Sequence, residues 1–328
     1  MKEKFIDKIN LCLILISFIL ACLLPFELFL IGYAVLGPLH YLTETNWIVN
    51  KNYFVANNYW KYIVVVGALI YSIPYICSLS YVKSFFANEI LEILTVKLSV
   101  YNNDIMFFIF ITSFLFVFTN KNKALIISLL VTLMFSIFAL KSDLYMLLNG
   151  VLLPTIIHVY IFTIFFMIYG FNKNKIGIVN IGLMILLPLS LFWIDTDVFN
   201  YHFSDFVKNT YTSNSFHYLN ANLAKLFGVY KDLGFFFYEK IDLKIQIFIS
   251  FAYMYHYLNW FSKTTIIGWH KQLTKRKSIG IALVWLTILC CYIYNYRLGL
   301  VMSVFLSVLH VMLEFPLNMI TVKSLFKK

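Results

Sequence analysis

Charge is scarce in this chain. Only 12% of its 328 residues are charged, about half the share found in a soluble domain. Hydrophobic residues make up 61% and aromatics 19%. A soluble fold of this length has no means of hiding so much apolar surface, so the solvent for most of the chain is lipid. Cysteine is scarce too. The five, Cys12, Cys22, Cys77, Cys290 and Cys291, all fall inside apolar runs, which favours packed thiols over a disulfide framework. No repeat with a period of 20–50 residues and no low-complexity tract is present, and no nucleotide or haem signal stands out.

The net charge of +11 does not point to nucleic acid. The Lys and Arg residues sit in short connections between apolar runs, where membrane topology uses them. The opening "MKEKFIDKINLCLILISFILAC" has the look of a signal peptide. Past Cys22 the chain stays apolar, which predicts an uncleaved first helix.

The pattern predicts an all-α protein, a single polytopic bundle over residues 1–328 with eight to ten spans. The apolar segments are 9–24, 27–45, 62–80, 104–119, 124–140, 146–170, 176–195, 242–262, 278–297 and 299–322. With ten crossings and a cytoplasmic N-terminus, the excess of Lys and Arg falls inside, including the dense run "KTTIIGWHKQLTKRK". Both termini are then cytoplasmic, as for a protein of a bacterial inner membrane. The longest connection, 196–241, is external, and residues 216–230 within it read as a short interfacial amphipathic helix.

Seven histidines are present, and three share the phrase His-Tyr-Leu: "LGPLHYLTE" (His40), "SFHYLN" (His217) and "YMYHYLN" (His256). A fourth phrase, "LSVLHVMLE" (His310), repeats the first in placing Glu four residues after His. His40, His158, His256 and His310 lie inside separate apolar segments that all run the same way across the membrane. Their depths differ by roughly 9 Å at 1.5 Å per residue, a spread that helix tilt absorbs. A polar imidazole in hydrocarbon needs a partner. Four imidazoles at similar depth satisfy one another by sharing a metal ion, and neutral imidazole suits Fe, Zn and Cu. Glu44 and Glu314 lie one turn beyond His40 and His310, where a carboxylate would accept the other ring N–H of a ligand. Asn259 follows His256 at i+3 and would orient it or bond a neighbouring helix. Tyr253, Tyr257 and Trp260 surround His256, and Phe162 shares a face with His158; these would line a path for a long apolar ligand. His202, His217 and His270 read as surface or headgroup-level residues.

The four blocks, in this order, resemble the Brp/Blh family of integral-membrane β-carotene 15,15'-dioxygenases. "LGPLHYLTE" is similar to the family's first Pro-His block, "LLPTIIHVYIF" to its Ile-Ile-His block, "FISFAYMYHYLNWFSK" to its third block and "LSVLHVMLEF" to its last. The blocks cover about 45 of the 328 residues. The resemblance implies Fe(II) held by His40, His158 and His256, O₂ as co-substrate and cleavage of a carotenoid, with His310 as a fourth ligand or a site-lining residue. The chain departs from the family pattern at Trp260, where a second ligand histidine stands, and at the prolines beside His40 and His310. The expectation is therefore a membrane oxygenase acting on a carotenoid or other long apolar lipid. Two other readings use the same residues: a transporter or permease with a His/Glu proton or substrate site, or a non-catalytic membrane subunit whose histidines only pack.

Overall fold

The computed structural model describes residues 2–55, 59–119, 123–139, 142–171 and 175–326. Among them every regular element is helical. The principal helices are α1 (Lys2–Leu23), α2 (Pro25–Ile31), α3 (Gly37–Asn50), α4 (Trp60–Cys77), α5 (Asn102–Thr119), α6 (Lys123–Ala139), α7 (Phe162–Tyr169), α8 (Lys175–Ser190), α9 (Asp205–Ser213), α10 (His217–Leu226), α11 (Lys240–Ser262), α12 (Lys275–Tyr294) and α13 (Tyr296–Leu325).

Seven stretches are long and apolar enough to cross a membrane: Phe5–Leu23, Pro25–Asn50, Trp60–Cys77, Asn88–Phe118, Asp143–Tyr169, Lys275–Tyr294 and Tyr296–Leu325. The other three apolar segments of the sequence are helical too, but differ in kind. Two are short, with apolar stretches at Lys123–Ser136 and Lys175–Ser190. The third, α11, carries Lys240, Asp242, Lys244, Gln246, Ser250, His256 and Asn259, which lowers its mean hydropathy. Most of its side chains are buried. A helix sheltered by protein on all sides keeps polar residues that a lipid-facing helix does not.

Contacts group the chain into two compact units, Met1–His40 with Thr155–His270, and Tyr41–Pro154 with Lys271–Lys328. The boundary falls inside α3.

In the first unit α11 is central, packed by α1, α2 and α10. Proline starts this arrangement. Pro25 has no N–H to continue α1, so one helix stops and the next begins with Pro25 at its first position. The backbone acceptors at this break find partners elsewhere. Tyr201 donates its hydroxyl to the Cys22 carbonyl. The Pro25 carbonyl accepts from the Gln246 amide at 3.0 Å and from the Ser250 hydroxyl. Tyr211 in turn donates to Gln246 Oε1 at 2.5 Å. Buried backbone polar groups must be satisfied inside hydrocarbon, and here side chains of α11 do so. The connection 196–241 is ordered by the same helix. Asp242 accepts from the Tyr230 hydroxyl and the Phe236 N–H, each at 2.9 Å, and its carbonyl accepts from Asn220 at 2.8 Å.

In the second unit α13 is central, against α4, α5 and α12. The α12–α13 pair is fastened by Tyr292 and Ser303, whose hydroxyls lie 2.9 Å apart, and depends on Gly299. A Cβ there would sit 2.7 Å from the Cα of Tyr292 and nearer still to its ring. Small residues let membrane helices approach this closely. Gly299→Ala is expected to destabilise the detergent-solubilised protein by about 1–3 kcal/mol through overpacking, read as a lowered thermal unfolding midpoint. An unchanged midpoint would contradict the close-packing role.

Candidate metal centre

The site grows out of one face of α11. Tyr253, His256, Tyr257 and Trp260 are spaced i, i+3, i+4 and i+7, so they form one stripe along the helix. All four are buried. His40 packs against this stripe. Its ring centroid lies 4.8 Å from that of His256, 5.4 Å from Tyr257 and 5.6 Å from Trp260. The His158 ring lies 5.2 Å from His256 and interacts electrostatically with both other histidines. His40 and His158 are each 1% exposed and His256 8%. The three therefore form a buried cluster within the first unit.

Two of these histidines sit on unusually wound helices. A π turn at Gly32–Leu36 joins α2 to α3 just before Pro38, two residues ahead of His40. A π-wound run, Leu147–Ile161, carries Pro154 and His158. Proline withholds one N–H from the helical ladder, and a wider turn is one way for the backbone to accommodate the loss. Inserting π turns changes which residues face inward, and such turns are frequent at functional sites.

His256 has both ring nitrogens engaged. Its Nδ1 lies 2.9 Å from the Thr163 hydroxyl oxygen. The same hydroxyl lies 2.7 Å from the Val159 carbonyl; with its single hydrogen donated there, it accepts from His256. That arrangement puts the proton on Nδ1 of His256 and leaves Nε2 with a lone pair. This lone pair points at Nε2 of His40, 3.1 Å away. Without an ion, a proton on His40 Nε2 makes the contact a hydrogen bond. With that proton moved to Nδ1 of His40, two lone pairs converge. Two metal–nitrogen bonds of about 2.1 Å hold their nitrogens roughly 3.0–3.4 Å apart in octahedral or tetrahedral geometry. The pair is thus spaced for one shared ion, and the donor chemistry, neutral imidazole with a third ring alongside, suits a transition metal.

The structure places the other sequence-predicted residues as follows. Asn259 accepts a hydrogen bond from Tyr255 at 3.4 Å, in a network that also joins Asn10 and Ser262; the residue that orients His256 is Thr163 instead. Phe162 is buried beside Phe165. Tyr253 sits against Phe29, Tyr33 and Tyr257, one step farther along the stripe. His310, Glu44 and Glu314 belong to the second unit. There His310 stacks on Tyr41 at 4.2 Å, and the buried carboxyls of Glu44 and Glu314 interact with each other. Outside the spans, His217 begins α10 and packs on Tyr218; burial, opposed by a backbone hydrogen bond at Thr212, holds its imidazole below the usual histidine range.

Thr163 is the residue that sequence reasoning missed. A threonine in an apolar helix commonly bonds its own i−4 carbonyl, and this one does. Its second role depends on α11 lying alongside.

The tautomer is directly measurable. Ring-¹⁵N chemical shifts of His256 are expected to report a protonated Nδ1 in the metal-free protein. Thr163→Val, which keeps the shape and removes the acceptor, is expected to shift that population, and Thr163→Ser to restore it. Unchanged shifts in Thr163→Val would overturn the assignment. No family model matches the chain, and no curated protein or solved structure does either.

Proposed function

We propose that His40, His158 and His256 hold a transition-metal ion, Fe(II) by the resemblance of the histidine blocks, and that the chain is a membrane-embedded oxygenase acting on a carotenoid or other long apolar lipid. One observation carries this reading: Nε2 of His256, whose ring is held at Nδ1 by Thr163, lies 3.1 Å from Nε2 of His40. An iron with histidine ligands and open positions supplies dioxygen binding and activation. The chain's own residues do the rest. Thr163 holds the His256 ring and its tautomer, as an outer-shell partner of a ligand. Tyr257 and Trp260 stand ring to ring with His40 and wall the centre with aromatic surface suited to a polyene. Trp260, where the family resemblance has a ligand, adds bulk in place of a donor. The substrate enters laterally from the bilayer. In this reading ten helices cross a bacterial cytoplasmic membrane, with both termini inside.

A second reading has its own support. Glu44 and Glu314 are buried carboxyls that interact electrostatically in the second unit, and intramembrane acids often mark proton or cation paths. That arrangement favours a permease.

Metal analysis separates the two. The oxygenase reading expects about one iron per chain in detergent-purified protein, lost in His158→Ala and His256→Ala variants that keep the wild-type elution profile. Thr163→Val is expected to bind iron about 10–100-fold more weakly. Co-expression with β-carotene is expected to bleach the orange colour and yield a retinal-type aldehyde. Purified protein without any transition metal, and with none taken up on reconstitution, would overturn the reading and leave the permease ahead.

A further inference from the structure

A second polar feature lies in the second unit. Where α4 ends and the α12–α13 turn begins, a cleft of about 510 Å³ opens. Ser78, Leu79, Ser80, Tyr81, Tyr294, Asn295, Arg297 and Leu298 line it. The lining holds one full positive charge and no carboxylate. Arg297 donates to the Ser78 hydroxyl at 2.9 Å. Among the described residues that is its sole hydrogen bond, and no ion pair offsets its charge. A guanidinium has five N–H donors in a fixed fork, so four remain beyond the one that bonds Ser78. Tyr81 and Tyr294 meet through their hydroxyls, and Ser80 adds another. Asn295 is already engaged, because its side chain accepts from the Leu298 N–H at the start of α13.

We propose that this cleft binds a phosphate oxyanion, the phosphodiester of a membrane phospholipid, with the Arg297 fork as its principal contact. Guanidinium and phosphate match in geometry and charge, and such contacts are stronger than neutral ones. The choice of a lipid over free phosphate rests on position. The span Trp60–Cys77 ends one residue before Ser78, the span Lys275–Tyr294 ends at the cleft, and the span Tyr296–Leu325 starts there. The cleft thus lies where three apolar helices end, at headgroup depth. Tyr81 and Tyr294 in its lining are 65% and 74% exposed, the pattern of aromatics that sit in the interface. A phosphate held there keeps its acyl chains beside the apolar ends of the three helices.

Native mass spectrometry of the detergent-purified full chain tests this. Three probes are titrated: phosphatidylglycerol, a diacylglycerol of the same chains without phosphate, and inorganic phosphate. Wild type is expected to bind phosphatidylglycerol and to bind diacylglycerol at least roughly tenfold more weakly, the loss of one charge-assisted contact. Arg297→Gln is expected to lower phosphatidylglycerol binding by a similar factor without changing the diacylglycerol background. The Tyr81→Phe/Tyr294→Phe double variant keeps the charge. It is expected to show a smaller loss and carries the test if Arg297→Gln does not fold. Equal binding of the two lipids, or wild-type phosphatidylglycerol binding in either variant, would overturn the site. Inorganic phosphate that binds in an Arg297-dependent way and displaces the lipid at comparable concentration would overturn the lipid assignment in favour of a free anion.

Discussion

A polar group placed in hydrocarbon has to find its partner within the protein, because neither lipid nor water will supply one. Much of this structure follows from that constraint. Where Pro25 interrupts the first helix, Tyr201, Gln246 and Ser250 arrive to satisfy carbonyls at the break. Where Asp242 is buried, Tyr230 and the Phe236 backbone donate to it. Where three histidines are buried together, Thr163 and His40 take the two nitrogens of His256. In each case the partner comes from a different helix or from the 196–241 connection, so satisfying the group also fixes how these segments pack.

The same constraint explains why the functional cluster sits on α11. A helix facing lipid carries a polar residue at high cost, whereas a helix enclosed by protein can carry many. With Gln246, Ser250, Tyr255, His256 and Asn259 all buried, α11 gives up hydropathy for connectivity. Its stripe from Tyr253 to Trp260 presents a histidine between aromatic rings. The π turns before His40 and around His158 bring the other two rings to it. A straight α-helical winding of the same residues would place those imidazoles on other faces. The prolines nearby, Pro38 and Pro154, give a physical occasion for that altered winding.

Helical content and membrane character were legible in the sequence, because composition alone decides that this much apolar surface cannot be soluble. The apolar segments found helices, and the aromatics that surround His256 (Tyr253, Tyr257 and Trp260) stand out in the sequence. The limits of such reading show in α11, whose polar residues make it look like a poor span although protein surrounds it. They show in α6 and α8 as well, which are apolar enough but short.

The sequence by itself determined that histidines would lie within apolar helices and would need partners there; hydrophobic patterning is local, and it is written residue by residue. Only the tertiary structure decided which partners they have. It brought His40, His158 and His256 together and set Thr163 against the His256 ring. Those outcomes depend on helix winding and on which helix lies beside which, and no local pattern encodes the distance between residues 93 or 216 positions apart.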